Sequence, residues 1–434
     1  MLRICDYLSP ISCTSAPTPQ YWLATSVAPQ RQAQNKTTMR LGCVATGDTY
    51  KGDLQIGELH LVHNHNMAAA VWDIVELRRL IFSFGERRDI AVCARVSSTW
   101  TEDALDVVWR DLPSPLPLLG ILGDDALQGR ISGPIDVMDW ARFDQYASRV
   151  RKLSLPPSRD YHTYLLRKPL SLLVALRPFP PLLPNMSEMC VEGCSAIGFV
   201  PQMPRLRTLF LEQFTSQGEQ PVIMTKEFFS MLSQRCPGLE ELTMVWQTSY
   251  MNSVIGIPVL APLQDCASLA VLDIHAACTL RFNKDADAAD LAAILSNLRV
   301  CRLTFIPLCG PVDAGLPDLG ALLPLAAACR RLEELSLALA ATVPDGALRV
   351  APTTRFSPAL RTLSVGHGAG AHEWDASRVA RFLAGVVPPH CDVVVPPRPR
   401  WARHWLDKED IAEGERQLQE AFELIRVYSG RQSS

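Results

Sequence analysis

The chain has 434 residues, of which 48% are hydrophobic and 20% charged, as expected for a folded protein with more than one structural unit. Its formal net charge of −3 gives no overall field that would attract nucleic acid or acidic lipid. The 13 cysteines include no Cys-x-x-Cys pair, so we expect buried free thiols rather than zinc sites or a disulfide framework. No apolar run reaches the length of a membrane span, and we expect a cytoplasmic or nuclear protein.

Residues 1–66 are rich in Ser, Thr, Gln, Pro and Asn and show no periodicity, which predicts a disordered N-terminal tail. His60, His63 and His65 lie close together there, but nothing nearby completes a metal site. Met67 directly precedes the first periodic segment, so it is an alternative native start, and whether residues 1–66 belong to the native protein stays open.

Three short helices are predicted next. Apolar residues recur at helical spacing from Val71 to Phe84, and Gly85 ends that helix. A second helix follows in "RRDIAVCARV", and a third begins near Ser97 or Ser98. Three helices in about forty residues bury too little surface to be stable alone. The unit must therefore contact a partner protein or the next domain.

The segment "IVELRRLIFSFGERRDIAVCARVSSTWTEDALDVVWRDL" resembles an F-box, particularly the form common in mushroom-forming fungi. Ile74 matches the opening apolar residue of that motif, and the Ile-Phe-Ser run matches residues 81–83. Ala94, Val96 and Trp100 match its later positions. Val75 stands where the family has a proline, which could weaken binding to the adaptor.

The resemblance places an F-box at residues 67–115. It implies that this unit docks on a Skp-type adaptor, which links it to a cullin scaffold. The expected contacts form an apolar row that we expect to divide between packing the helices and meeting the adaptor: Ile74, Val75, Leu77, Ile81, Phe82, Val96 and Trp100. A plain three-helix cap on a repeat domain is the alternative.

A second pattern, apolar-x-x-apolar-x-apolar, occurs eight times between residues 116 and 400. The matches begin at Val150, Met186, Leu206, Leu239, Leu269, Val300, Leu332 and Leu360. This phase indicates leucine-rich repeats, each a short strand followed by a returning helix, although the intervals are longer and less even than in regular repeats. Helical patterns fill several gaps, as in "TKEFFSMLSQRC" and "DASRVARFLAGV". Cys236, Cys266 and Cys329 resemble the cysteine-containing repeat subtype found in F-box proteins.

The predicted fold class is therefore an α/β solenoid. A short three-helix F-box precedes an irregular leucine-rich-repeat horseshoe, and residues 401–434 form a C-terminal capping helix and tail. A free-standing partner-binding helix is the alternative for that last segment. Stacking is required because one strand and one helix cannot cover their own leucines.

Side chains alternate along a strand, so the residues between the leucines form a binding face. Phe210 and Trp246 are the aromatic anchors that we expect to bind a partner, although both could instead pack against neighbouring loops. The expected target-binding residues are Phe210, Glu212, Thr243, Trp246, Asp273, His275 and Arg302. No basic stripe with interleaved aromatic residues predicts a nucleic-acid site.

Catalytic motifs are absent from the sequence. His372, Glu373 and Asp375 lie close together, but a helix cap at Asp375 explains that group better. We expect no active site, metal or cofactor, and a monomer within a complex. The expected function is the substrate-recognition subunit of a Skp–cullin–F-box ubiquitin ligase, with an unidentified target protein. The alternative is a non-catalytic repeat scaffold that is not attached to a ligase.

Overall fold

The computed structural model describes residues 72–127, 135–155, 173, 177, 181–192, 203–215, 225–248, 254–276, 278–282, 285–305, 316–340, 342–350, 354–367, 375–394, 416, 419–425 and 427–428. The predicted tail at 1–66, residues 401–415, His372 and Glu373 lie outside these ranges. The chain divides into two compact units, Met1–Val107 and Val108–Ser434.

The described part of the first unit contains helical residues at 72–73 and three helices, of which the third extends to Arg110: α1 (Val75–Ser83), α2 (Arg87–Val96) and α3 (Ser98–Arg110). Gly85 separates the first two, and a Cβ there would lie 3.2 Å from Cγ1 of Ile90. That close approach favours glycine at the turn because a larger residue would push α2 away. Helices lie in all three predicted segments, but the first segment is interrupted at Ile74, so α1 covers only part of the helix predicted from Val71 to Phe84.

The second unit contains a parallel sheet of ten strands whose spatial order follows the chain. These strands are β1 (Asp111–Leu112), β2 (Lys152–Leu155), β3 (Glu188–Glu192), β4 (Thr208–Thr215), β5 (Glu241–Thr248), β7 (Val271–Ala276), β9 (Val300–Phe305), β10 (Glu334–Leu339), β11 (Thr362–His367) and β12 (Asp392–Val394). A separate pair, β6 (Val254–Gly256) and β8 (Thr279–Arg281), forms a two-stranded sheet.

All eight segments with the leucine pattern form strands of the large sheet, which confirms an α/β fold with a parallel sheet. In seven of them the leucine-type residues are buried, as Leu209, Leu242, Leu272 and Leu335 illustrate. The match beginning at Val300 is out of phase by two residues, because Val300 is half-buried and aligns with Glu334. Leu298, Cys301 and Leu303 occupy the buried positions of that repeat. Strand order that follows chain order is the topology of proteins built by stacking repeats. The first and last strands and the pair β6 and β8 were not predicted, because they lack the repeated leucine spacing.

Helical segments connect many of the strands: α4 (Leu116–Ile121), α5 (Asp124–Leu127), α6 (Val137–Ala147), α7 (Lys226–Arg235), α8 (Asp285–Leu295), α9 (Leu322–Ala328), α10 (Ala347–Val350) and α11 (Ala376–Val386), with 3₁₀ turns at Ile257–Val259, Ala261–Asp265 and Leu319–Ala321. Within the described ranges, none of the helices has the length and apolar character needed to cross a membrane.

Side-chain caps begin several of these helices. Thr225 Oγ1 accepts a hydrogen bond from the amide of Phe228 at 3.2 Å, and Asp375 Oδ1 accepts one from Arg378 at 2.9 Å. Asp375 is thus a helix cap, as the sequence predicted. Near the C-terminus, residues 419–425 are helical and bury Ala421 and Ile425.

Candidate functional site

The interior of the first unit is built around three aromatic rings. Trp72 stacks on Trp100 with ring centroids 4.7 Å apart, and Phe82 meets Trp100 edge to face at 6.3 Å. Phe82 is 3% exposed, so it packs the three helices together. Ile90 and Ala104 are buried as well.

A buried ion pair lies in the same interior. Arg78 Nε donates a hydrogen bond to Asp103 Oδ2 at 2.6 Å, and Arg78 Nη1 donates to the carbonyl oxygen of Trp72 at 2.7 Å. Arg79 Nε donates to the other oxygen of Asp103 at 2.7 Å. Burial alone would raise the pKa of Asp103, but the hydrogen bonds and charges of the two arginines outweigh burial and lower it.

The apolar row predicted to meet an adaptor divides between interior and surface. Phe82 is interior and Trp100 is half-buried, so these two residues hold the helices together. The other five expected residues are exposed: Ile74, Val75, Leu77, Ile81 and Val96. Three further apolar side chains that the sequence did not single out for binding are exposed beside them in the chain: Leu80, Phe84 and Val92.

This division arises because one face of α1 is turned toward the interior of the unit. Arg78 and Phe82 are four residues apart and so share one face of the helix, which turns toward Asp103 and Trp100. Leu77 and Ile81 share the neighbouring face, which remains exposed. Phe84, beyond the end of α1, is 83% exposed. Exposed apolar residues at this density mark interaction sites in folded proteins.

Helix α1 begins at Val75, the position where the resemblance places a proline. Ile74 before it is extended, with φ of −84° and ψ of 110°. Its side chain makes no capping hydrogen bond. The first helical residue and an extended predecessor are the backbone conformations that proline favours. The absence of proline therefore has not prevented a helix from starting at this residue.

In the second unit, the residues that alternate with the leucines form a face that we call the polar face. Its first row contains the aligned residues Asp111, Lys152, Glu188, Thr208, Glu241, Val271, Val300, Glu334, Thr362 and Asp392. Its second row contains Ser154, Cys190, Phe210, Thr243, Asp273, Arg302, Ser336 and Ser364.

Four charged or titratable residues from three adjacent strands form a network on this face. Arg302 donates from Nε to Glu334 Oε1 at 2.6 Å and from Nη1 to Asp273 Oδ2 at 3.1 Å. His275 Nε2 lies 2.9 Å from Asp273 Oδ1. Burial alone would raise the pKa of Asp273, but hydrogen bonds and charge from His275 and Arg302 lower it. The hydrogen bond to Glu334 raises the pKa of Arg302.

The expected target-binding residues do not all lie on this face. Phe210, Glu212, Thr243, Asp273, His275 and Arg302 do, and each is partly exposed. Trp246 is 2% exposed because it follows Leu242 and Met244 in the period-two alternation and points inward with them. The expectation that Trp246 is an accessible anchor is therefore corrected. The sequence also did not foresee that Thr304, Ser336 and Ser364 are buried.

Cysteines near the helix ends are packing residues. Burial raises the pKa of Cys236 to about 12 and that of Cys329 to about 12, so both thiols are protonated and unreactive at neutral pH. Among the described residues, no group of three or more His, Cys, Asp or Glu side chains could hold a metal ion.

No protein-family model and no curated protein matches the chain. An internalin (inlF) of Listeria monocytogenes is similar in structure over 61% of this chain and 71% of the internalin, with 12% sequence identity and a TM-score of 0.28. A similarity with so low a TM-score supports no conclusion about the fold or function of this chain. The order and register of the strands define the fold instead.

Proposed function

We propose that this chain is the substrate-recognition subunit of a Skp–cullin–F-box ubiquitin ligase. In this role the helical unit docks on a Skp-type adaptor, and the polar face of the repeat unit holds the target protein. A separate ubiquitin-conjugating enzyme does the chemistry. The chain acts by raising the effective concentration of target lysines near that enzyme.

The observation that carries the proposal is the apolar surface of α1 and α2. Leu77, Leu80, Ile81, Val92 and Val96 are all exposed within about twenty residues, while the unit's interior is formed by other side chains. Burying a fully exposed side chain of this kind is worth about 1.5–3 kcal/mol, and covering these partly exposed side chains gains a fraction of that for each. A partner that covers several of them therefore gains enough to offset the cost of association.

A second candidate is a repeat scaffold without a ligase. The specific observation that favours it is Val75 in place of the family's proline. On this reading the polar face still binds a protein, and the helical unit serves as a cap or meets a different partner.

Binding of the full-length chain to a purified Skp-type adaptor tests the first candidate. Leu77→Asp and Ile81→Asp place a charge on the exposed surface, and each should weaken binding at least tenfold. Val137→Asp is the matched control, because Val137 is an exposed apolar residue at the start of α6 in the second unit. Phe82→Asp is unsuitable because it would disrupt the interior.

An unmutated chain that fails to bind the adaptor would leave the scaffold as the better reading. Equal loss in Val137→Asp and Ile81→Asp would show that the substitutions act through solubility rather than through docking. Circular dichroism of each variant separates both outcomes from unfolding.

A further inference from the structure

We infer that the first row of the polar face binds a basic, extended segment of the partner protein, with Lys or Arg side chains set against its carboxylates. This inference extends the proposed function by naming the chemistry of the target. It rests on the proposed function only because it takes the polar face to be the target-binding face.

Charge on the first row is strongly one-sided. The ten aligned positions carry five carboxylates and one ammonium group. The ammonium of Lys152 is 3.0 Å from Glu188, and Glu334 is paired with Arg302. Glu241 makes no ion pair with any described residue. A cationic segment is therefore the occupant that complements this row.

The spacing of the carboxylates fits an extended chain laid across the strands. Neighbouring strands are about 4.8 Å apart, so Glu188, Glu241, Glu334 and Asp392 are separated by about 10, 14 and 10 Å. An extended chain advances about 3.3 Å per residue and directs every second side chain to the same side, so cationic side chains at positions 4 and 8 both face the row and match Glu241 and Glu334. Val271 and Val300 lie between the middle two carboxylates and favour an apolar residue near position 6.

One side chain in the second row supports the same occupant. Phe210 is partly exposed beside Thr208 and Glu241, and an aromatic ring next to carboxylates is a favourable environment for a Lys or Arg side chain.

The experiment measures binding of two eleven-residue peptides to the full-length chain by calorimetry at 0.05 and 0.15 M salt. The first has Lys at positions 4 and 8 and Leu at 6, and the second replaces each Lys with Glu. We expect the Lys peptide to bind at least tenfold more tightly and to weaken as salt rises. Equal affinity for the two peptides would overturn the inference.

A pair of matched variants tests whether the peptide binds at the first row. Glu241→Gln should weaken binding of the Lys peptide by about threefold to tenfold, because one rim carboxylate is lost. Glu240→Gln is the control, since Glu240 is the adjacent residue, is exposed, and pairs with Arg207 at 3.4 Å instead of facing the row. If the two variants lose affinity equally, the peptide binds elsewhere and the inference is wrong.

Adaptor binding measured on the same preparations separates this inference from the proposed function. A chain that binds the adaptor but shows no preference for the Lys peptide retains the ligase role and refutes the basic-segment inference. A chain that prefers the Lys peptide but ignores the adaptor retains the inference and refutes the ligase role.

Discussion

Nε of Arg78 lies 2.6 Å from Oδ2 of Asp103, and both residues are buried, at 6% and 4% exposure. The pair joins α1 to α3 across 25 residues of sequence. The guanidinium of Arg78 also donates to the carbonyl oxygen of Trp72. The pair therefore joins the three parts of the chain that carry the aromatic cluster, namely Trp72, α1 and α3. A buried pair of this kind is costly to break because either partner alone is left charged in the interior.

Asp103→Ala should lower the free energy of unfolding by about 3–5 kcal/mol, because it leaves Arg78 buried without its partner. The double variant Arg78→Met with Asp103→Leu should recover most of that loss, since two apolar side chains replace the pair. Hydrogen exchange of the amides of α1 to α3 localises the effect. A double variant as unstable as Asp103→Ala would contradict this account of the pair.

Acid should destabilise the helical unit through the same carboxylate. The pKa of Asp103 is lowered in the folded state, so its contribution to stability is fully present above the unfolded value of about 3.9. That contribution is lost as pH falls from about 4 through the lowered pKa. Between pH 5 and pH 3 the wild type should therefore lose more stability than the Arg78→Met, Asp103→Leu variant. Parallel losses in the two proteins would assign the acid sensitivity to other carboxylates.

Val75→Pro should be tolerated. Val75 is the first residue of α1, where proline is favoured, and Ile74 before it already has the extended conformation that a residue preceding proline requires. Restriction of the unfolded chain should then raise the free energy of unfolding by about 0.4–1 kcal/mol. Denaturant unfolding measures the change, with Leu77→Pro as the destabilising control inside the helix. A loss of stability in Val75→Pro would mean that the helix begins upstream of Val75.

The two aromatic residues first considered as anchors should behave differently. Trp246→Phe removes a buried N–H that has no hydrogen-bond partner in the described part of the chain, so we expect a loss below about 1.5 kcal/mol and unchanged binding of the Lys peptide. Phe210→Ala should leave the fold intact and weaken that binding. Calorimetry and urea unfolding check both changes. Loss of binding in Trp246→Phe would show that Trp246 turns outward in the complex.

Buried thiols should resist alkylation in the native protein. Burial raises the pKa of Cys266 to about 11 and that of Cys236 to about 12, and both side chains are inaccessible. N-ethylmaleimide at pH 8, followed by peptide mapping, should modify Cys93 and Cys190 before Cys236 and Cys266, because the first two are partly exposed. Cys236 and Cys266 should react only after unfolding. Rapid native labelling of either one would show that its repeat opens locally.

The sequence by itself determined the eight strands that carry the leucine pattern and the helical segments that became α1 to α3. Leu242, Met244 and their counterparts recur with a period of two inside a longer repeat, and that pattern allows only a strand with one buried face. The same alternation already assigned Trp246 to the buried side. Its aromatic character, rather than its place in the pattern, led to the expectation that it binds a partner.

Tertiary structure decided which side chains meet across long separations. The period of α1 indicates which residues share a face, but Asp103 and Trp100 from α3 decide that the face with Arg78 and Phe82 turns inward. Short strands such as β1 and β12 form only because a neighbouring strand supplies their hydrogen bonds, so their own sequences carry little signal. The carboxylates of the first row fall into one line only when the strands stack in register. Local patterns therefore fix the elements, whereas contacts between residues far apart in the chain fix what each element buries and what it presents.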